Sequence, residues 1–427
     1  MKLRRKLSVA AAAVFLIIAV VFKVGFFAYA FYAMVLVALV AYAMTHLGLD
    51  GLQTDRHLTT RQAQLGEEAV VTVGVRNTRP LPLPWVVMED LLSPGLPVME
   101  GAGSRAMVMR GNGATTLRYR VRCDKRGYHR VGPVLFESGD YFGLTRRFMS
   151  HANAQFITVY PRVAPIDKYS VPTHRPLGET TVRMRIFEDP TRIAGVREYR
   201  HGDPLRRVHW KASARTGRLH AKIYDPSSLL GANILLDFHD KAWEGERKEE
   251  RSEFAVTVAA SLASHLAARG VDLGLVSNGV DAADVMQTAP ISVEANSRDE
   301  ARRLVELRKE TSRLRPVEVP VRRGSESLTL VMESLARLDF GHGLALADMV
   351  SQEYSKWPRE QTAAFIIPAM SNELFRQISR LKTNGFSVLV LLIDQRNQAP
   401  AVMTALASIH VPVLHLASDS DLHNIVV

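Results

Sequence analysis

The sequence predicts a multidomain chain. It has an N-terminal transmembrane helical hairpin, a β-sandwich of immunoglobulin-like size, and a C-terminal α/β, Rossmann-like domain. Three observations carry this. From Leu7 to Met44 the chain is apolar except for Ser8 and Lys23. Residues 50–165 hold short alternating segments punctuated by proline and glycine. Beyond residue 231, continuous apolar runs alternate with helically spaced ones. The resulting boundaries are 1–49 for the anchor, 50–165 for the sandwich, 166–194 for a proline-rich connector, 195–230 for a basic segment and 231–427 for the α/β domain. A chain of 427 residues has room for these units.

The anchor comes first. Its apolar run exceeds the roughly 20 residues that one helix needs to cross a bilayer. A hairpin of Leu7–Phe22 and Phe26–Leu47, turning near Lys23, Val24 and Gly25, accommodates it. The competing reading is a signal peptide cleaved near Ala28-Tyr29-Ala30. It leaves an apolar stretch through Met44 for which a secreted domain has no use. Lys2, Arg4, Arg5 and Lys6 precede the first arm, and Arg56 and Arg61 follow the second. Basic flanks favour the cytoplasm. The expectation is a protein of the inner cell membrane with its large C-terminal part in the cytosol.

In the next region Glu68 to Arg76 and Gln155 to Tyr160 read as strands. Thr115 to Arg122 alternates strictly, with Leu117, Tyr119 and Val121 on one face and Arg118, Arg120 and Arg122 on the other. A solvated face is the expectation for those arginines. Arg126-Gly127-Tyr128 through Gly132-Pro133 reads as a hairpin turn and return strand. Ser138 to Leu144 reads as a loop tied down by aromatics, with Asp140 able to cap its own backbone. Prolines 161, 165, 172, 176 and 190 argue against a persistent helix in the connector.

In the α/β domain the expected strands are Asn233–Asp237, Val271–Ser277, Thr362–Pro368, Phe386–Asp394 and Val411–Leu416. The first expected helix carries Phe254, Val258, Leu262 and Leu266 and stops at Gly270. Further helices are expected at Ala301–Leu314, Leu328–Leu338, Leu344–Tyr354 and Asn372–Asn384. The alternation predicts an open, mostly parallel sheet covered on both faces.

The net charge of +11 suits a nucleic acid or an anionic membrane surface as well as an ordinary basic exterior. One cysteine, Cys123, leaves no intramolecular disulfide and no cysteine metal cluster. No glycine-rich dinucleotide or phosphate loop, no HExxH and no nucleophile elbow occurs, and no cofactor is implied. Ligands of open α/β sheets sit at strand carboxyl ends, which draws attention to Asp237. Von Willebrand factor A-like domains carry Asp-x-Ser-x-Ser there. Here His239 and Lys241 replace the serines, so Asp237 is a degenerate divalent-cation position.

The stretch from Gly195 to Lys222 stands apart, dense in Arg, Lys and His yet holding Tyr199, Val208, Trp210 and Leu219. Trp210 onward suggests a short helix, and Gly217 a turn into a strand. Three readings apply. As a structural junction, Asp203 pairs with arginines while Tyr199 and Trp210 seal the interface. As a docking site for a ligand, partner or nucleic acid, its cations supply phosphate contacts and Trp210 stacks. As a hydrolase, Asp203 is the base and Arg206, Lys211 and Arg215 clamp an anion.

Gly195, Arg197, Tyr199, Gly202, Asp203, Arg206, Val208, Trp210, Lys211, Ala214 and Arg215 fit G-x-R-x-Y-x-x-G-D-x-x-R-x-(Ile/Val)-x-W-K-x-x-A-R. That pattern resembles the signature of the bacterial family called domain of unknown function 58. Asp140-Tyr141-Phe142-Gly143-Leu144 resembles the family's Asp-Pro-Phe-Gly-Leu, with Tyr141 for proline, and Val159-Tyr160-Pro161 resembles its Val-Tyr-Pro. The resemblance covers nearly the whole chain. It implies a membrane-anchored, non-enzymatic adaptor or scaffold with a von Willebrand factor A-like C-terminal domain. The implied partners are a MoxR-type AAA+ ATPase and a transglutaminase-like membrane protein, and the implied task is assembly or maturation of other proteins.

Overall fold

The computed structural model describes Ile17 and residues 25–140, 146–151, 154–166, 193–200, 208–224, 231–285, 298–305, 316–322, 325–357, 361–393 and 399–423. They form two compact units. One comprises residues 1–159 with 285–310, and the other comprises 160–284 with 311–427.

The first unit opens with a helix, α1 (Gly25–Leu49), that covers the range expected for the second arm of the hairpin and extends past it at both ends. The first arm, apart from Ile17, lies outside the described residues. Tyr29, Tyr32, Leu36, Leu39 and Tyr42 of α1 are exposed, whereas Ala41 and Leu49 are buried. Among the described residues no helix is long and apolar enough to cross a membrane. Within α1 the side chains of 26, 27 and 43–48 lie outside that description.

The sandwich strands are β1 (Leu52–Leu58), β2 (Gln62–Gln64), β3 (Glu68–Asn77), β4 (Leu83–Leu92), β5 (Val98–Glu100), β6 (Ser104–Met109), β7 (Ala114–Arg122), β8 (Gly127–Gly139), β9 (Arg146–His151) and β10 (Gln155–Tyr160). One sheet runs β1-β3-β7-β5. The other runs β2-β10-β8-β4-β6, with β9 on β8. Strand β7 obeys its period: Leu117, Tyr119 and Val121 enter the core, while Arg118 and Arg120 are exposed. Arg120 pairs with Glu68 and Glu100 at 3.2 Å each, so this row is a solvated, charge-paired face. Between the sheets lie Val71, Val73, Met88, Phe136 and Ile157.

The expected hairpin at 126–133 is corrected. Strands β7 and β8 belong to different sheets, so the chain crosses the sandwich there, and β8 continues through Gly132 and Pro133. Gly132 has φ +96°, and a Cβ there would collide with the Arg56 guanidinium. The glycine admits a buried side chain rather than a turn.

That side chain ties the sheets together. Arg56 of β1 donates to the Val131 carbonyl of β8 and to Asp90 of β4, and the Tyr119 hydroxyl of β7 donates to Asp90 at 2.5 Å. The Arg56 and Asp90 side chains are 1% and 0% exposed. Burial pushes the Asp90 carboxyl above its ordinary range, while Arg56 and Tyr119 pull against it.

This unit also contains a helix from far along the chain. Arg298 pairs with Glu137 of β8, and Arg302 reaches Glu89 of β4 through Nε and Nη2 at 3.2 and 2.6 Å. Helix α1 packs on β8 as well, so Leu135 and Glu137, which point away from the sandwich core, are buried too.

The second unit begins with a hairpin of β11 (Ile193–Glu198) and β12 (His220–Tyr224), joined through helix α2 (Trp210–Thr216). Then come β13 (Ala232–Leu236), α3 (Lys248–Ala268), β14 (Leu273–Ser277), β15 (Val280–Asp281), α4 (Ala282–Val285), the excursion helix α5 (Arg298–Val305), β16 (Val317–Arg322) and α6 (Ser325–Arg337). The chain ends with β17 (Leu338–Asp339), α7 (Leu346–Glu353), β18 (Thr362–Ile367), α8 (Asn372–Thr383), β19 (Ser387–Ile393), α9 (Ala399–Ser408), β20 (Val413–Leu416) and α10 (Asp419–His423).

The main sheet runs β16-β14-β13-β18-β19-β20, parallel except for β16. Its strands are apolar on both faces. Ile234 and Leu236 pack with α3 and α6. Leu235 packs on the opposite face with α7, α8 and α9. Ala164, expected at the end of the sandwich, belongs to this unit, where it is buried and its N–H donates to Ser261 of α3 at 2.9 Å, and Ile166 at the start of the connector packs against the same core. The rest of the connector, 167–192, lies outside the described residues. Of the helix expected over Ala301–Leu314, the described part starts earlier, at Arg298, and runs to Val305.

Candidate interaction site

The strand order reverses around β13, with β14 on one side and β18 on the other. A crevice at the strand carboxyl ends is where such sheets take ligands. Asp237 stands there, directly after β13, and its own backbone N–H donates to Ile366. Its Oδ1 accepts from Asn278 Nδ2 at 2.9 Å and from the His239 N–H at 3.2 Å. Asn278 Oδ1 accepts from the Phe238 N–H at 2.6 Å. Trp243 Nε1 donates to the Asp237 carbonyl at 2.8 Å. Burial raises the Asp237 carboxyl above its ordinary range, and the hydrogen bonds from Asn278 and His239 oppose this.

The positions that replace the two serines are otherwise engaged. His239 Nδ1 accepts from the Lys241 N–H at 3.2 Å and so caps a short 3-10 helix over Asp240–Trp243. Asp240 pairs with Lys248, whose hydrogen bond holds that carboxyl below its ordinary range. Lys248 lies 4.5 Å from the Phe340 ring centroid, and Phe340 stacks on Phe238. The donor set is one buried carboxylate, a capping imidazole and an ammonium, which does not suit a hard divalent cation. The arrangement is a polar latch at the end of β13, built from the protein's own groups.

The basic segment builds a second feature. Arg197 pairs across the hairpin with Ala221, and Glu198 with His220. Val208 bridges Ala221 on the other side of β12, and both are buried. Helix α2 is fixed at each end. His209 caps it by accepting the Ala212 N–H on Nδ1 at 3.0 Å, and Gly217 ends it at φ +71°. Ser213 fastens it to β12, since its Oγ donates to the His209 carbonyl at 3.1 Å and accepts the His220 N–H at 2.9 Å.

Trp210 is therefore not an interface seal. Ser213 faces β12 and is buried, while Trp210 at the start of the helix is 67% exposed. Lys211 and Arg215 are exposed with it, and Leu219 is 46% exposed. Tyr199 and Arg197 are half-buried, and the Tyr199 N–H donates to the Leu219 carbonyl. Arg218 pairs with Glu198 at 3.3 Å on the surface. Gly202, Asp203 and Arg206 lie outside the described residues. The structure thus brings Arg197, Tyr199, Trp210, Lys211 and Arg215 into one hairpin–helix element. Asn278 was missed by sequence reasoning, because its partnership with Asp237 depends on two neighbouring strand ends.

Residues 195–344 match the family described as Protein of unknown function DUF58. The segment is a DUF58 domain. The matched range holds the hairpin–helix signature, Asp237 with its latch partner Asn278, and Phe340. The chain is also similar to the uncharacterized protein YeaD of Bacillus subtilis, 28% identical over 263 residues. That match spans 60% of this chain and 64% of the relative, just under two thirds of its length. Among solved structures, a von Willebrand factor type A protein from Catenulispora acidiphila is 12% identical, with a TM-score of 0.31 over 48% of this chain and 42% of that one. The CARDB domain of a Pyrococcus furiosus protein is 11% identical, with a TM-score of 0.19 over 25% of this chain and 91% of that one.

Proposed function

We propose that this DUF58 protein is a non-enzymatic, membrane-anchored adaptor that acts through protein–protein contacts beside a MoxR-type AAA+ ATPase. In this reading the C-terminal unit serves as a von Willebrand factor A-like interaction domain without a metal. The observation that supports it best is the latch: where a ligand of such a sheet would sit, Asp237 accepts from the Asn278 amide and the His239 N–H, and Asn278 accepts from the Phe238 N–H. A transglutaminase-like membrane protein is a second partner in this proposal. Anchoring is supported by the apolar run from Leu7 to Met44 and by the exposed apolar side chains of α1. The basic flanks support a cytosolic placement of the units.

The test is affinity capture of the full chain from detergent-solubilised membranes. The expected result is nucleotide-sensitive copurification of an AAA+ ATPase. Absence of any ATPase from replicate captures overturns the reading. Alkaline extraction of membranes tests the anchor, with the chain expected in the pellet.

A further inference from the structure

Helix α2 presents a face that the protein's own packing does not use. At 3.6 residues per turn, Trp210, Ala214, Lys211 and Arg215 fall within roughly 140° of arc. All four are exposed, and buried Ser213 lies outside that arc. Arg218 and Leu219 follow on the turn into β12 and are exposed too. The helix is short but not loose, because His209 caps its start, Gly217 closes its end and Ser213 fastens its middle to β12. A tryptophan held rigidly in the open gains from burial only when something covers it, and indole is a favoured anchor at interfaces.

The charge around it names the chemistry of the cover. The described parts of the hairpin–helix element carry Arg197, Arg200, Lys211, Arg215, Arg218 and Lys222 against a single acid, Glu198, which faces Arg218. An acidic partner is attracted by this excess and a basic one repelled. Apolar surface at Trp210 and Leu219 beside the cations favours a protein segment with an apolar anchor over a nucleic acid backbone, whose recognition rests chiefly on phosphate contacts. We propose that Trp210, Lys211, Ala214, Arg215, Arg218 and Leu219 form a docking surface for an acidic segment of a partner protein that bears an aromatic or aliphatic anchor. This deepens the adaptor reading and rests on it.

The test uses the full chain in detergent and three fluorescent probes. They are a short Asp/Glu peptide with one central Phe, its Lys/Arg counterpart, and an oligothymidine of matched charge. The wild type is expected to bind the acidic peptide at least about tenfold more tightly than the basic one. Lys211→Glu/Arg215→Glu reverses that preference, a gain that misfolding cannot mimic. Trp210→Ala weakens the acidic peptide about tenfold, and replacing the peptide's Phe by Ala removes the difference between Trp210→Ala and wild type. Arg376→Glu, on an exposed helix elsewhere, changes nothing. Binding of the acidic peptide that is indifferent to both α2 changes overturns the proposal. So does tighter, Trp210-dependent binding of the oligothymidine, which assigns the surface to nucleic acid. If the wild type and Lys211→Glu/Arg215→Glu capture the ATPase equally, this surface falls and the adaptor reading stands. If the wild type captures none while the peptide results hold, the adaptor reading falls and the surface stands.

Discussion

Replacing Arg56 by methionine should loosen the sandwich while leaving the α/β unit intact. The Arg56 guanidinium and Asp90 carboxylate are 1% and 0% exposed, so water cannot take over when either is lost. Removing one member of a buried pair leaves an uncompensated charge and costs about 3–5 kcal/mol. That is a large share of the roughly 5–15 kcal/mol that holds a domain folded. Asp90→Leu should cost a similar amount, because it removes the carboxylate that faces the buried Arg56 guanidinium and strips Tyr119 of its acceptor. Arg56→Met/Asp90→Leu should cost less than either single change, since no buried charge remains. Hydrogen–deuterium exchange read by mass spectrometry separates the units, and peptides from β4, β7 and β8 report the sandwich. If the double variant costs the sum of the singles, or Arg56→Met costs under about 1 kcal/mol in those peptides, the pair is not the link between the sheets.

Four further outcomes follow from the same structure. Asn278→Ala should cost about 1–3 kcal/mol in the α/β unit, measured by exchange of β13 and β14, because Asp237 and the Phe238 N–H each lose a partner. The folded-state carboxyl of Asp237 is raised above its ordinary value of 3.8. Its contribution to stability is then fully present below that pH and lost as pH rises through the folded value, so Asp237→Asn should flatten this fall in a melting-temperature series across the acidic range. Cys123 is buried and its thiol is pushed up to about 11, mainly by desolvation. It should resist a maleimide in the native protein at mildly alkaline pH and react once the sandwich is unfolded. Arg298→Glu/Arg302→Glu should free helix α5 from β4 and β8 and raise amide exchange in that helix. The global stability change should be small, about 1 kcal/mol per pair or less, because both arginines are partly exposed.

The α/β sheet was legible because its central strands are buried on both faces and therefore read as unbroken apolar runs. β18 and β19 begin and end within a residue or so of where the sequence places them. β16 was not legible. Its sequence VEVPVR alternates charge with valine and contains Pro320, which an edge strand tolerates. α9 was missed for a different reason: APAVMTALAS lacks a clear apolar stripe, and only Ala399, Val402 and Leu406 are buried. In the sandwich, strict alternation located β7. Gly127 and Gly132-Pro133 look like turn chemistry, yet both lie within β8. The need at Gly132 is space for Arg56, which sits far away in sequence. The excursion of α5 into the first unit has no local signal either, since its basis is two Arg–Glu pairs between distant segments.

The basic segment shows how composition misleads about orientation. A tryptophan among arginines, followed by a short helical pattern, invites the inference that the indole is the buried group and the cations its rim. The structure inverts this through one small residue. Ser213 both donates and accepts within the hairpin, so the helix docks on β12 by a hydroxyl that needs close approach. A seven-residue helix has only one inward face, and Ser213 occupies it. Trp210 must then point elsewhere, and with it Lys211 and Arg215. If Ser213→Leu were to push α2 off β12, the indole would lose its fixed presentation while keeping its exposure, and acidic-peptide binding should fall although every cation remains. A surface that worked by net charge alone would not notice the change, so this variant separates a shaped docking face from a diffuse basic one.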